Sequence, residues 1–288
     1  VMPLAFRRSS QALRSLSRSR KFVIGFAIVL ILVIVSLSAN LVYPGNPASV
    51  ERYPHDLSPS WEHPLGTDSL GRDVFVQLLH GTQQSLLIGV MAGAVGVGIG
   101  TTLGFIAGYK GGILDGVIRS ITDVFLVIPT WPLLVVLASY TTVVTVPLLA
   151  SVLAALSWPG PARVVRSQVL SLRRREFVSL AKISGRNSLE ISFLELMPNM
   201  LSYLGVRFAA AISGAMLAEV GLDLIGLGPQ GSITLGMMLY YAQLKSALMR
   251  NLWWWLFPPI IVLILVFVGL NLINLGLDEV YNPRLRKR

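Results

Sequence analysis

Residues 22–43 read FVIGFAIVLILVIVSLSANLVY, 22 residues without a charge. As an α-helix rising 1.5 Å per residue, such a run reaches about 33 Å, enough to cross the ~30 Å hydrocarbon core of a bilayer. The basic stretch VMPLAFRRSSQALRSLSRSRK precedes it at 1–21. A secretory leader is the rival reading, but its apolar region is shorter and a small-residue cleavage site follows it. The length favours a retained first span behind a basic, partly amphipathic arm. Five further segments are comparably apolar: 85–109, about 120–140, about 143–162, about 200–222 and 252–277. Every backbone polar group in hydrocarbon needs an internal partner, so all six are expected as helices. Pro129 and Pro132 should kink the third span or end a helical turn. The expected fold class is an all-α polytopic membrane protein with six transmembrane helices.

Composition agrees. Of 288 residues, 53% are hydrophobic and 13% charged, and the mean hydropathy is +0.68. Soluble domains carry nearer a quarter charged residues. The net charge of +10 would suggest nucleic acid in a soluble protein. Here the basic residues flank apolar runs and suit anionic lipid and cytoplasm, with no nucleic-acid partner expected. The absence of cysteine excludes disulfides and thiolate chemistry.

Lysine and arginine set the expected orientation. With the N-terminus inside, segments 1–21, 110–119, 163–199 and 278–288 carry 19 of the 24 basic residues. Segments 44–84 and 223–251 carry 4, and Arg207 lies within a span. Positive-inside asymmetry of this size places both termini in the cytoplasm of a multi-pass inner (cell) membrane protein. The expected organisation is an N-terminal arm at 1–21 and a first helix at 22–43. An external segment follows at 44–84, then a transmembrane core at 85–277 and a basic tail at 278–288. The core contains a cytoplasmic loop (163–199) and an external loop (223–251). Residues 70–84 look helical and are expected on the outer surface beside the second span.

Catalytic chemistry is not legible. No Gly-x-x-x-x-Gly-Lys-Ser/Thr loop occurs, so no nucleotide site of the chain's own is expected. His55, His63 and His80 lack metal-ligand spacing and read as solvated loop residues, so no metal is expected. No Gly-x-Ser-x-Gly elbow is present. Few charges fall within spans. Arg119 and Asp123 are four apart and can pair at the cytoplasmic boundary. Arg207, Glu219 and Asp223 are candidates for a pathway or gate, because an ionisable residue in a span is a functional signal. Gly96, Gly100, Gly104 and Gly108 repeat every four residues in the second span, and Gly89 and Gly93 add a further pair. Such a stripe lets another helix approach closely, and a static contact is preferred to a sliding one. Trp253, Trp254 and Trp255 suit an interfacial aromatic belt.

One polar stretch stands apart: RRREFVSLAKISGRNSLEISFLELMPN (173–199). Phe177, Leu180, Ala181 and Ser184 share a helical face. Gly185 can supply the positive φ that ends this helix. Asn187 with Glu190 has the spacing of a capping box for a second helix carrying Ile191, Phe193, Leu194 and Leu196. Two short helices at an angle make a knob able to seat in the cleft of a soluble partner. A plain basic loop that only fixes topology would need none of these turn signals.

Three stretches carry a family resemblance: HPLGTDSLGRDVFVQLLHGTQQSL (63–86), RREFVSLAKISGRNSLEISFLELMPN (174–199) and EVGLDLIGLGP (219–229). In this order they resemble the C-type permease of the dipeptide/oligopeptide/nickel ABC importers, over essentially the whole chain from residue 20. The middle stretch resembles the coupling loop of ABC importer permeases, a Glu-Ala-Ala followed by Gly and a closing Pro-Asn. Ala181, Gly185, Pro198 and Asn199 match that pattern, whereas Ser179, Leu180 and Glu195 depart from it. The resemblance implies the type I importer permease fold, with a cytoplasmic coupling-helix loop. It also implies a B-type permease partner, two ATPase subunits that hold ATP and Mg, and an external solute-binding protein. No cofactor is implied in this chain, and no enzymatic activity. Di- or oligopeptides are the expected cargo, with oligosaccharide or nickel as alternatives. A secondary transporter working alone is the different-class alternative, and it usually shows an internal repeat. Neither that repeat nor the soluble domain or polar constellation of a scaffold or enzyme is evident.

Overall fold

The computed structural model describes residues 16, 17, 19–187 and 190–281. Most of the arm expected at 1–21 and of the tail expected at 278–288 therefore lies outside the described residues. Helix α1 (Arg20–Leu37) is extended by a further turn, α2 (Ala39–Val42). Helix α3 (Val74–Lys110) has 37 residues, about 55 Å of continuous helix. Asp73 starts it by accepting a hydrogen bond from the Val76 amide at 3.0 Å. The surface helix expected at 70–84 is thus no separate element but the first turns of the second span. The reason is local: no proline interrupts 74–110, and Gln77, His80, Thr82 and Ser85 are all buried with hydrogen-bond partners.

Helices α4 (Gly112–Val127) and α5 (Thr130–Ser139) form the third span, bent by 78°. Pro129 causes the break. It forces Ile128 into extended backbone (ψ 123°) and itself sits outside the helix at ψ 112°. Pro132 falls in the first turn of α5, where its missing N–H has no intrahelical acceptor to lose. Helices α6 (Val146–Ser157) and α7 (Pro159–Leu172) together form one span of 27 residues, ending ten residues beyond the expected boundary at 162. Then come α8 (Glu176–Ile183), a wide π turn over Ile191–Leu196 and a tight 3-10 turn over Met197–Asn199. The chain closes with α9 (Leu201–Leu224), α10 (Leu235–Leu244) and α11 (Trp253–Tyr281). Five of these units are long and apolar enough to cross a membrane, and the bent pair is the sixth. The fold is an all-α membrane domain of six spans.

Helix α3 is the axis of the packing. One face lies on α6 and α7, another on α9. The four glycines make the first contact possible. Gly96 meets Ser157, and Gly100, Gly104 and Gly108 face the backbone of α7 from Trp158 to Arg166. A Cβ on Gly104 would lie 2.8 Å from the Val165 Cβ and 3.0 Å from the Arg166 nitrogen, with no flexible side chain to yield. Helix α1 packs along α11, and its other faces expose Ile24, Phe26, Ile31 and Ile34, as expected of a helix facing lipid. The tryptophan trio divides. Trp253 is exposed, Trp254 donates to the Thr67 carbonyl at 3.2 Å, and Trp255 is fully buried against Val74, Val220 and Leu263. A belt role therefore fits Trp253 alone, because successive helical residues 100° apart cannot share one face.

Candidate functional site

The two ends of α3 differ in kind. At its start, segment 44–84 folds with 225–252 into a cap. Asp68 is the hub: its Oδ1 accepts from the Leu70 and Arg72 amides, both at 2.9 Å. Its Oδ2 accepts from Arg72 Nε at 2.7 Å and Gln77 Nε2 at 3.0 Å. The Arg72 guanidinium also lies 4.6 Å from the Tyr241 ring centroid. Asp56 pairs with Arg250, which joins the two halves of the cap. The expectation of solvated histidines holds for His55 alone. His63 is buried with Nδ1 2.7 Å from Asp73 Oδ2, and His80 is buried with Nε2 3.1 Å from the Tyr43 carbonyl. Both are structural fasteners. Sequence spacing could not reveal this, since each partner comes from chain folded back over the helix start. Among the described residues no three His, Asp or Glu side chains converge as a metal site.

Just beneath the cap, Glu219 and Asp223 of α9 are completely buried. Ser85 donates to Glu219 at 2.9 Å, Thr234 donates to Asp223 at 2.5 Å, and the Leu235 amide donates to Ser85 at 3.1 Å. Gly228 and Gly236 press on Asp223, leaving no space beside it for a side chain. These two residues join α3, α9 and α10. Neither lines an open cleft.

Arg207 is placed differently. It lines a cleft of about 430 Å³ between α4–α5, α6–α7 and α9, together with Thr130, Gly160, Arg163, Ala210 and Gly214. A second cleft of about 630 Å³ adjoins it between α4 and α7. Ion pairs cross this second cleft. Asp123 meets Arg163 at 2.6 Å and Arg119 at 3.6 Å, and Asp115 holds Arg166 through two bonds. The Arg119–Asp123 pair expected from spacing is present, but the shorter contact is to α7. The pairs to Arg163 and Arg166 fasten the first half of the broken span to the helix that leads into 173–199.

At the far end of α3, residues 173–199 form the knob. Arg173 donates to the Tyr109 carbonyl at 2.7 Å and so caps the end of α3. Gly185 has φ +78° and ends α8. The capping box forms: the Glu190 amide donates to Asn187 Oδ1 at 2.8 Å, and the Asn187 amide donates to Glu190 Oε2 at 3.1 Å. The apolar residues part into two faces, unlike the single face expected. Val178 and Ala181 are buried with Phe105, Val165, Val169, Ile191, Leu196 and Met200, and Phe177 packs beside them. Leu180, Ile183 and Leu194 point away, exposed by 64%, 84% and 60%. Ser179 and Ser184 lie on the same open side. Ala181 thus belongs to the inward face. Leu194 was among the apolar residues read in the second helix, whereas Ile183 was not singled out, although it sits three positions after Leu180 on the same helical face. Glu195 pairs with Arg186 across the two arms, and Pro198 is exposed at the return to α9. The side chain of Asn199 lies outside the described residues.

Six apolar spans, clefts between them and a folded loop with an apolar face beyond the bundle define a multi-pass membrane transport component. Comparison with known proteins gives its family. Residues 100–287 match the binding-protein-dependent transport system inner membrane component, and the chain belongs to that family of ABC importer permeases. Three relatives are each 32% identical to it. A protein of Brucella suis biovar 1 (strain 1330), provisionally named a peptide permease, aligns over 93% of this chain and 88% of its own. The oligopeptide transport system permease protein OppC of Mycobacterium tuberculosis (strain ATCC 25618 / H37Rv) aligns over 97% and 96%. The dipeptide transport system permease protein DppC of Bacillus subtilis (strain 168) aligns over 97% and 87%. The resemblance carried by 63–86, 174–199 and 219–229 is to the same family.

Proposed function

We propose that this chain is the C-type permease subunit of an importer of di- or oligopeptides. It forms half of the translocation pathway and pairs with a B-type permease subunit. Two ATPase subunits, which hold ATP and Mg, seat the knob, and a solute-binding protein delivers cargo at the cap. The chain itself performs no catalysis and holds no cofactor. The basic asymmetry supports a cytoplasmic knob, cytoplasmic termini and an external cap. The peptide names of the relatives support the cargo class.

The observation that carries this reading is the division of the knob into two faces. Its inward face is packed on the ends of α3 and α7, so the knob moves with the spans. Its outward face offers Leu180, Ile183 and Leu194 to something outside the chain. Nucleotide-driven closure of a partner on that face is then a rigid-body input to α7 and α9, and the ion pairs to Asp115 and Asp123 pass it to the broken span. The assembled transporter in proteoliposomes provides the test. Peptide uptake must require both ATP and the solute-binding protein, and Ile183→Asp must abolish uptake while the chain still folds and pairs with the B-type permease. Uptake that persists without ATP would refute the reading.

A further inference from the structure

Arg207 lies two turns into α9, about 10 Å along its axis from Leu201. Its surroundings differ from those of the other cations near the clefts. Arg163 holds Asp123 at 2.6 Å, and Arg166 holds Asp115. Among the described residues no carboxylate pairs with Arg207. Its guanidinium rests 5.0 Å from the centroid of Tyr203, one turn before it. A guanidinium stays charged at any physiological pH and is costly in a span without a counter-charge.

The cleft beside it has room for one. Its volume of about 430 Å³ falls within the range of small-molecule sites. Gly160, Ala210, Ala211, Gly214 and Ala218 wall it. Leu126, Leu134, Leu153, Leu156 and Val164 complete the apolar lining, Thr130 and Ser157 add hydroxyls, and Arg163 is already paired with Asp123, which leaves Arg207 as the lining cation without a carboxylate partner among the described residues. The fixed anionic group common to every unmodified peptide, whatever its sequence, is its terminal carboxylate, and the guanidinium fork matches a carboxylate in two parallel hydrogen bonds.

From this juxtaposition we infer that Arg207 receives the free C-terminal carboxylate of the peptide as it crosses the membrane. This assignment rests on the peptide-importer reading above. It makes Arg207 a specificity-determining residue that recognises an anionic group all unmodified peptide cargo shares. An anionic lipid headgroup or an acidic residue of the partner permease would also satisfy a guanidinium. Either would give Arg207 a structural role with no dependence on the cargo's terminus.

The test compares uptake of trialanine and trialanine amide by the assembled transporter in proteoliposomes, each saturating its solute-binding protein. Wild-type protein, Arg207→Gln and Arg207→Lys are measured in parallel. The expected result is a fall of about tenfold in the acid-to-amide uptake ratio for Arg207→Gln, with Arg207→Lys retaining most of the preference. Equal loss for acid and amide in Arg207→Gln, or a ratio unchanged from wild type, overturns the assignment and leaves the peptide reading standing. No uptake of either probe by an assembled, ATP-hydrolysing wild-type transporter overturns both.

Discussion

The cap and the knob sit at opposite ends of one 37-residue helix and are built on opposite principles. The cap is held together by buried polar pairs, with Arg72 Nη2 and Gln77 Oε1 left without a partner. Asp68, Arg72, Asp73, Gln77, His63 and His80 are buried polar groups whose partners all come from this chain. The knob satisfies itself on one side only and leaves three large apolar residues outside. Buried polar networks fix one geometry and lose heavily when broken. Exposed apolar residues add nothing to the isolated fold and await a partner. The cap is therefore fixed mainly by polar pairs within this chain, whereas the knob is fixed chiefly by its inward apolar face.

Mutations should reproduce this contrast. Asp68→Ala strands the buried Arg72 guanidinium and should lower stability by about 3–5 kcal/mol, read as a loss of folded, protease-resistant protein in membranes. A folded Asp68→Ala protein of wild-type resistance would remove the claim that polar pairs fix the cap. Gly104→Leu drives a side chain into the α7 backbone and should cost about 1–3 kcal/mol, seen as a lowered thermal midpoint in detergent. Gly185→Val imposes positive φ on a branched residue, at about 1–2 kcal/mol, yet a Cβ there meets nothing within 4 Å. Its damage should stay within the knob: the thermal midpoint of the spans holds while peptide-stimulated ATPase activity falls. Ile183→Ser should change stability by no more than about 0.5 kcal/mol. It should nevertheless weaken capture of the ATPase subunits about tenfold, measured by co-purification. If Ile183→Ser destabilised the chain as much as Gly104→Leu does, the two-faced knob would be wrong.

Much of the fold was legible because spans announce themselves by length and lack of charge. The break at Pro129 was legible for a similar reason: a proline in an apolar run has few outcomes. What was hidden depended on chain folded back from elsewhere. His63 and His80 look like loop residues until Asp73 and the Tyr43 carbonyl close on them. Glu219 and Asp223 look like gate residues until Ser85 and Thr234 bury them, and only Arg207 of the three lines a cleft. In the knob, Gly185 and the Asn187–Glu190 cap could be read from spacing, being local devices. The sorting of Ala181 inward and Ile183 outward could not, because α7 and the end of α3 decide which face is covered.

The absence of cysteine from the chain makes one measurement decisive. Ile183→Cys on the knob and Met249→Cys on the cap, each 84% or more exposed in the parent residue, give single reactive thiols at the two ends. A short thiol-to-amine cross-linker is applied to membranes holding the assembled transporter, and intact cells are labelled with an impermeant maleimide. Ile183→Cys is predicted to cross-link to an ATPase subunit and to resist labelling from outside, whereas Met249→Cys labels from outside and never reaches the ATPase. Labelling of Ile183→Cys in intact cells, or an ATPase cross-link from Met249→Cys, would contradict the assignment of the knob as the coupling end.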